Sequence, residues 1–147
     1  MRKWEGRKTV SRKGATMKYI YTAVLTPSGE DGRYFARVPD LPSCITSGKD
    51  LPDAIDMITD AASGWLVVAE DEGMPIAPPT AQRDIPRDAD SVLSLITIDT
   101  LRYRTETDTR AVRKNVSLPA WMAAMAEKRN INCSQVLQDA LRGLLGP

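Results

Sequence analysis

The strongest constraint on this fold lies near the C-terminus, where one short strand-like segment is followed by two short helical ones. Residues Val112 to Leu118 (VRKNVSL) alternate: Val112, Lys114, Val116 and Leu118 share one face, and Arg113, Asn115 and Ser117 the other. Pro119 suits a first helical position. A helix is expected through Trp121, Met122 and Met125 to about Arg129, with Asn130 as a left-handed C-cap. A second helix starts at Asn132 as N-cap, with Gln135 at N3 in a near capping box and Ile131 and Val136 spaced for a hydrophobic staple. Val136, Leu137, Ala140, Leu141, Leu144 and Leu145 form its apolar stripe. A lone strand has no ladder partner, and two short helices bury little. The physical solution is a homodimer, in which two copies pair their strands antiparallel across a two-fold axis and four helices close the core.

Such a ribbon displays Arg113, Asn115 and Ser117 twice on its outer face. A two-stranded ribbon fits the DNA major groove, where Arg suits guanine O6/N7 and Asn suits adenine N6/N7. Lys114, nominally on the inner face, can snorkel to phosphate. The start of the second helix, Asn132, Cys133 and Ser134, offers free amides to a phosphate. The plainer reading is a dimerisation tail whose polar strand face is merely solvated. The strand ending in Leu-Pro, the helix with Trp121 and the N-x-S-Q helix start resemble a ribbon-helix-helix DNA-binding domain (β-α-α) over residues 112–147.

The formal net charge of +1 conceals a strong asymmetry. Residues 1–16 carry six Lys/Arg and one acid, residues 17–99 six against fourteen, and residues 100–147 eight against four. The pieces are therefore +5, −8 and +4, which imply different partners. Residues 1–16 lack periodicity and read as a disordered basic extension, with a nucleic-acid-binding arm as the functional alternative. Ordered patterning starts at Met17, which makes that residue an alternative initiator.

Within 17–99, Tyr19 to Leu25 (YIYTAVL) reads as a central strand. The SGEDG turn (28–32) leads to a second strand, Tyr34 to Val38, and Cys44 to Ser47 makes a short third. A helix follows from an Asp50 N-cap, with Leu51, Ala54, Ile55, Ile58, Ala61, Ala62, Trp65 and Ala69 on its apolar face and Gly73 as C-cap. Gly64 inside it suggests close packing against a sheet. Residues 74–91 are a Pro-rich loop, and Val92 to Ile98 (VLSLITI) is a fourth strand. Residues 100–111 read as a charged linker. The expected class is α+β: a β-β-β-α-β unit, then a β-α-α unit.

The first unit resembles the HicB antitoxin family. The MKYIYTAVL strand, the YFARVPDLPSC stretch, TSGKDLPDA (Thr46 to Ala54), the Pro-rich MPIAPP segment and the late VLSLITI strand carry the resemblance over residues 17–99. A C-terminal ribbon-helix-helix appendage matches one branch of that family. The resemblance implies a partial RNase H-like domain that neutralises an mRNA-cleaving HicA toxin. It also implies repression of the toxin's operon by a dimer, or a tetramer, on operator DNA. An acidic domain suits a basic RNA-gripping toxin. Tyr34, Phe35 and Arg37 on the hairpin, with Asp56 and Asp60 on the helix, are the candidate toxin contacts.

Catalysis is not expected. The sequence has no histidine, which removes His-based acid–base chemistry and His metal ligands. Cys44 and Cys133 lie too far apart in sequence for a C-x-x-C pair and read as two reduced, partly buried thiols. The first strand, Lys18 to Thr26, lacks the carboxylate that two-metal RNase H chemistry needs, so no metal or cofactor is expected. No apolar run approaches the roughly 18 residues of a bilayer span, and a cytoplasmic location follows as the expectation. The competing class is a stand-alone ribbon-helix-helix transcription regulator whose first domain senses a ligand or protein. A neighbouring reading frame for a small basic protein with a single histidine separates the two.

Overall fold

The computed structural model describes residues 18–29 and 31–146; the expected basic extension over 1–16 lies outside them. The described chain is mixed α+β. Strands β1 (Lys18–Pro27), β2 (Tyr34–Arg37) and β3 (Ile45–Gly48) precede helix α1 (Leu51–Glu72). A 3₁₀ turn (Gln82–Asp84), strand β4 (Val92–Asp99) and helices α2 (Thr100–Thr107), α3 (Ala120–Lys128) and α4 (Cys133–Leu145) follow. The strands form one sheet in the order β3-β2-β1-β4, and every neighbouring pair is antiparallel.

β1 is central because it can be buried on both faces. Tyr21, Ala23 and Leu25 alternate into the core, joined by Ala36, Ile96 and Ile98 from the flanking strands. On the opposite face Thr22 and Val24 are buried too. The 74–91 loop reaches that face: the Arg37 guanidinium, in register with Val24, donates to the Pro86 carbonyl, and Ile85 is buried. The loop is pinned elsewhere by the Tyr21 hydroxyl donating to the Ala77 carbonyl and by Thr26 and Ser91 sharing a hydroxyl hydrogen bond at 2.8 Å.

Helix α1 starts where its caps require. The Asp50 carboxylate accepts from the Asp53 amide at 2.8 Å, and the Asp53 carboxylate accepts from the Lys49 amide at 2.9 Å. It stops at Gly73, whose φ of 65° is the left-handed C-cap that glycine adopts without strain. Ala54, Ile58, Ala62, Leu66 and Ala69 form its buried stripe. Leu66 is fully buried although the expected face ran through Trp65. Trp65 lies at the margin, its indole N–H donating to the Pro42 carbonyl at 3.0 Å. The tight approach falls at Gly48, where a Cβ would overlap the backbone amide of Ala54. Gly64 faces no sheet; a Cβ there would meet only the Tyr103 hydroxyl, at 3.4 Å.

Two expectations need correction. Residues 100–107 are not linker but helix α2, started by the Asp99 carboxylate accepting from the Arg102 amide at 3.0 Å. Thr100 is fully buried, and Arg104 reaches α1, so α2 belongs to the sheet unit. Residues 112–118 form no strand: they are exposed and without regular structure in the single chain. A ladder needs a partner, and one copy supplies none. The β-α-α expectation is thus met only in its two helices.

Candidate partner and nucleic-acid interfaces

From Thr105 to Gly146 the chain is exposed throughout, apart from a half-buried Ala126. Val112, Val116, Leu118, Trp121, Met122, Met125, Ile131, Val136, Leu137, Leu141, Leu144 and Leu145 are all solvent-accessible. So many large apolar groups on well-formed helices leave an unpartnered apolar surface in the single copy. The helices themselves are specified locally. Asn130 adopts φ 52° after α3, and the Asn132 side chain accepts from the Gln135 amide at 3.1 Å. Gln135 does not complete the capping box; its side-chain Nε2 donates instead to the Asp139 carboxylate at 2.9 Å.

Of the sequence-selected nucleic-acid residues, Arg113, Lys114, Asn115 and Ser117 sit side by side on the exposed 112–118 segment. Alternation on two faces is not established there, because the segment is not a strand. The Asn132 cap leaves the amides of Cys133 and Ser134 without acceptors among the described residues, at the positive end of α4. Of the two thiols, both expected to be partly buried, Cys44 is buried and desolvation pushes its thiol pKa up, whereas Cys133 is exposed, because α4 packs against nothing in the single copy.

The sheet unit carries its negative charge on α1. That helix has Asp53, Asp56, Asp60, Glu70, Asp71 and Glu72 and no Lys or Arg. Asp56 and Asp60 are exposed, and neither pairs with a cation among the described residues. Met57 is exposed between them. Farther along the helix lies an apolar groove of about 310 Å³, lined by Cys44, Ala61, Gly64, Trp65, Val68 and Met74 among others. Sequence reasoning missed this groove; the small residues Ala61 and Gly64 one turn apart, beside Trp65, were the available signal.

The five expected toxin contacts do not form one site. Tyr34 packs against the core on the α1 side of the sheet. Phe35 and Arg37 share the opposite face, with Phe35 exposed and Arg37 tied to Pro86. Asp56 and Asp60 stand on α1. The strand period of two separates Tyr34 from Phe35, and the sheet separates Phe35 from the helix.

At the junction of α1 and α2, Glu70 is nearly enclosed. One carboxylate oxygen accepts from the Thr100 hydroxyl at 3.2 Å; the other makes no hydrogen bond and sees Arg104 at 3.8 Å. Burial pushes the Glu70 carboxyl above its ordinary value despite those two partners. Tyr19 alongside is raised by burial and by the Glu70 charge. Among the described residues no group of three or more Asp, Glu, Cys or His is placed to hold a metal ion. Nor is any helix long and apolar enough to cross a membrane.

The family model described as "HicB_like antitoxin of bacterial toxin-antitoxin system" matches residues 21–140. A chain of the toxin-antitoxin complex from Streptococcus pneumoniae is 19% identical, covers 86% of this chain and 99% of its own, and superposes with a TM-score of 0.55. The antitoxin HicB of Burkholderia pseudomallei is 22% identical over 82% of this chain and 92% of its own, with a TM-score of 0.47. The antitoxin HicB3 is 21% identical over 88% of this chain and all of its own, with a TM-score of 0.46. No curated protein matches in sequence.

Proposed function

Because the chain belongs to the HicB-like antitoxins of bacterial toxin-antitoxin systems, we propose that it neutralises an mRNA-cleaving HicA-type toxin by direct binding and represses its own operon as a dimer on operator DNA. Its part is regulatory, not catalytic. The β-β-β-α-β order supports reading the sheet unit as the partial RNase H-like, toxin-binding domain. Residues 112–147 act as the ribbon-helix-helix domain.

The observation that carries this reading is the unfinished core of the C-terminal unit. Its apolar residues are exposed in one copy and would be covered by a second. Pairing of two 112–118 segments then creates the missing ladder and places Arg113, Asn115 and Ser117 on one side for base edges, with Lys114 near phosphate. The Cys133 and Ser134 amides beside Asn132 bind backbone phosphate. On the sheet unit, the unpaired α1 carboxylates attract a basic toxin and speed its encounter.

The test is co-purification with the product of the adjoining toxin gene, followed by RNA-cleavage and operator-binding assays. The proposal expects a stable complex, suppressed cleavage and specific DNA binding. Operator binding without any toxin complex supports the stand-alone regulator instead.

A further inference from the structure

We propose that the solvent-side flank of α1, along the groove beside Trp65, is a seat for one amphipathic helix of the toxin, with Lys or Arg next to that helix's apolar stripe. The proposal rests on the antitoxin reading above and names the element that is gripped and the surface that grips it.

Met57, Ala61, Gly64 and Val68 follow one another at spacings of four, three and four residues, which aligns them along one side of α1. That side is not the buried stripe, which runs through Ala54, Ile58, Ala62, Leu66 and Ala69. Met57 is 44% exposed and Val68 49%, and between them stand only the methyl of Ala61 and the bare backbone of Gly64. The result is a trough with an apolar side chain at each end, roughly 16 Å apart at the helical rise. Small residues at its centre let another helix approach closely. The opposite wall is fixed. The Trp65 indole holds the Pro42 carbonyl, and the adjoining turn is tied by the Cys44 amide donating to Leu41 and the Val38 amide donating to Cys44, both at 3.1 Å. Ser43 sits in this turn at φ 62°, a left-handed geometry that a non-glycine residue keeps only where its surroundings hold it. Exposed Ile45 and Met74 extend the apolar wall. The backbone of α1 offers no free donors along this stripe, so an extended segment would leave its own amides unpaired there. A helix satisfies them internally.

The charge beside the trough selects the occupant. Asp60 lies one turn from both Met57 and Gly64, and Glu72 lies one turn from Val68. Both carboxylates are exposed, and neither pairs with a cation among the described residues. Because α1 carries no Lys or Arg, a second copy presenting the same face would set acid against acid. A basic helix instead meets both carboxylates while its apolar residues fill the space over Ala61 and Gly64.

The test uses the full chain and the purified toxin, with affinity measured by isothermal titration. Val68→Lys and Met57→Lys each place an ammonium at one end of the trough, at exposed positions where folding should not suffer. Each should weaken toxin binding by about tenfold or more, while the thermal midpoint and operator binding stay as in the native chain. Native affinity in either variant, with the native chain still binding toxin, overturns the groove and leaves the antitoxin reading standing. A native chain that binds no toxin removes that reading, and the groove with it. The occupant is read separately by a benzophenone attached to Val68→Cys in a Cys133→Ser background, where the remaining thiol, Cys44, is buried. Photocrosslinks should land on a toxin segment with apolar residues three and four apart beside Lys or Arg. Crosslinks to a toxin segment without that pattern, or between copies of this chain, contradict the proposal.

Discussion

Arg104 of α2 lies 2.8 Å from Asp71 near the end of α1, and its guanidinium also donates to the Val67 carbonyl at 3.3 Å. The last turn of α1 carries Glu70, Asp71 and Glu72 and no basic residue, an arrangement that the helix dipole disfavours. The compensating cation therefore comes from the next helix. The pair is only partly screened from solvent, with Arg104 at 33% side-chain exposure, so its worth is modest. Arg104→Ala should lower the stability of the sheet unit by about 1 kcal/mol in urea denaturation, combining the ion pair with the lost carbonyl contact.

The same junction sets where the chain can be cut. A truncation ending at Thr107 keeps Thr100 and Arg104 in place, whereas one ending at Asp99 removes both the hydroxyl and the guanidinium that Glu70 meets. The longer fragment should unfold at a higher urea midpoint. Equal midpoints would mean that α2 adds nothing to the unit.

Two glycines should respond in opposite ways. Gly48→Ala forces a methyl into the backbone of Ala54 and should destabilise by several kcal/mol or prevent folding. Gly64→Ala meets only the Tyr103 hydroxyl at ordinary contact distance, and helix propensity favours Ala there. It should be neutral or stabilising by up to about 1 kcal/mol. Thermal melts of the two variants distinguish these outcomes.

Glu70 gives the stability a pH dependence of definite sign. Its folded carboxyl is raised above the ordinary 4.5 by burial, so the folded state holds the proton more tightly than the unfolded state. This contribution is fully present below pH 4.5 and is lost as pH rises through the raised value. Glu70→Gln should remove that slope and gain relative to the native chain at neutral pH. A wild-type slope that persists in the variant would assign it to other groups.

Much of the sheet unit was legible because its signals are local. Asp50, Gly73 and the alternation of Tyr21, Ala23 and Leu25 are read directly from neighbouring residues. The Asn132 cap of α4 was equally plain. Helix α2 was missed because TLRYRTET has little apolar periodicity; its Asp99 cap and the Arg102–Glu106 pair at 2.7 Å were the available signs. Leu66 was missed because a broad apolar face turns further than the Trp65 line suggested. The five expected toxin contacts were chosen by nearness in sequence, and adjacent strand residues such as Tyr34 and Phe35 face opposite sides of the sheet. The 112–118 alternation predicts a strand, and the single copy has none there.

Arg113→Ala with Asn115→Ala should abolish specific operator binding while leaving the oligomeric mass and toxin binding unchanged, measured by fluorescence anisotropy and size exclusion. Both residues are exposed on a segment without regular structure, so folding should not suffer. Retained operator affinity would remove the ribbon from the account. Asn132→Ala, by contrast, should weaken α4 by about 1 kcal/mol through the lost cap and shift the thermal midpoint downward.

The division of labour between the two units is tested most directly by RNA cleavage with the purified partner toxin, using the full chain and the fragment ending at Thr107. The account predicts that both suppress cleavage at stoichiometric concentration and that only the full chain retains operator DNA. Cleavage that proceeds unchecked with a folded fragment would contradict it, because the toxin site would then lie in, or require, the C-terminal unit.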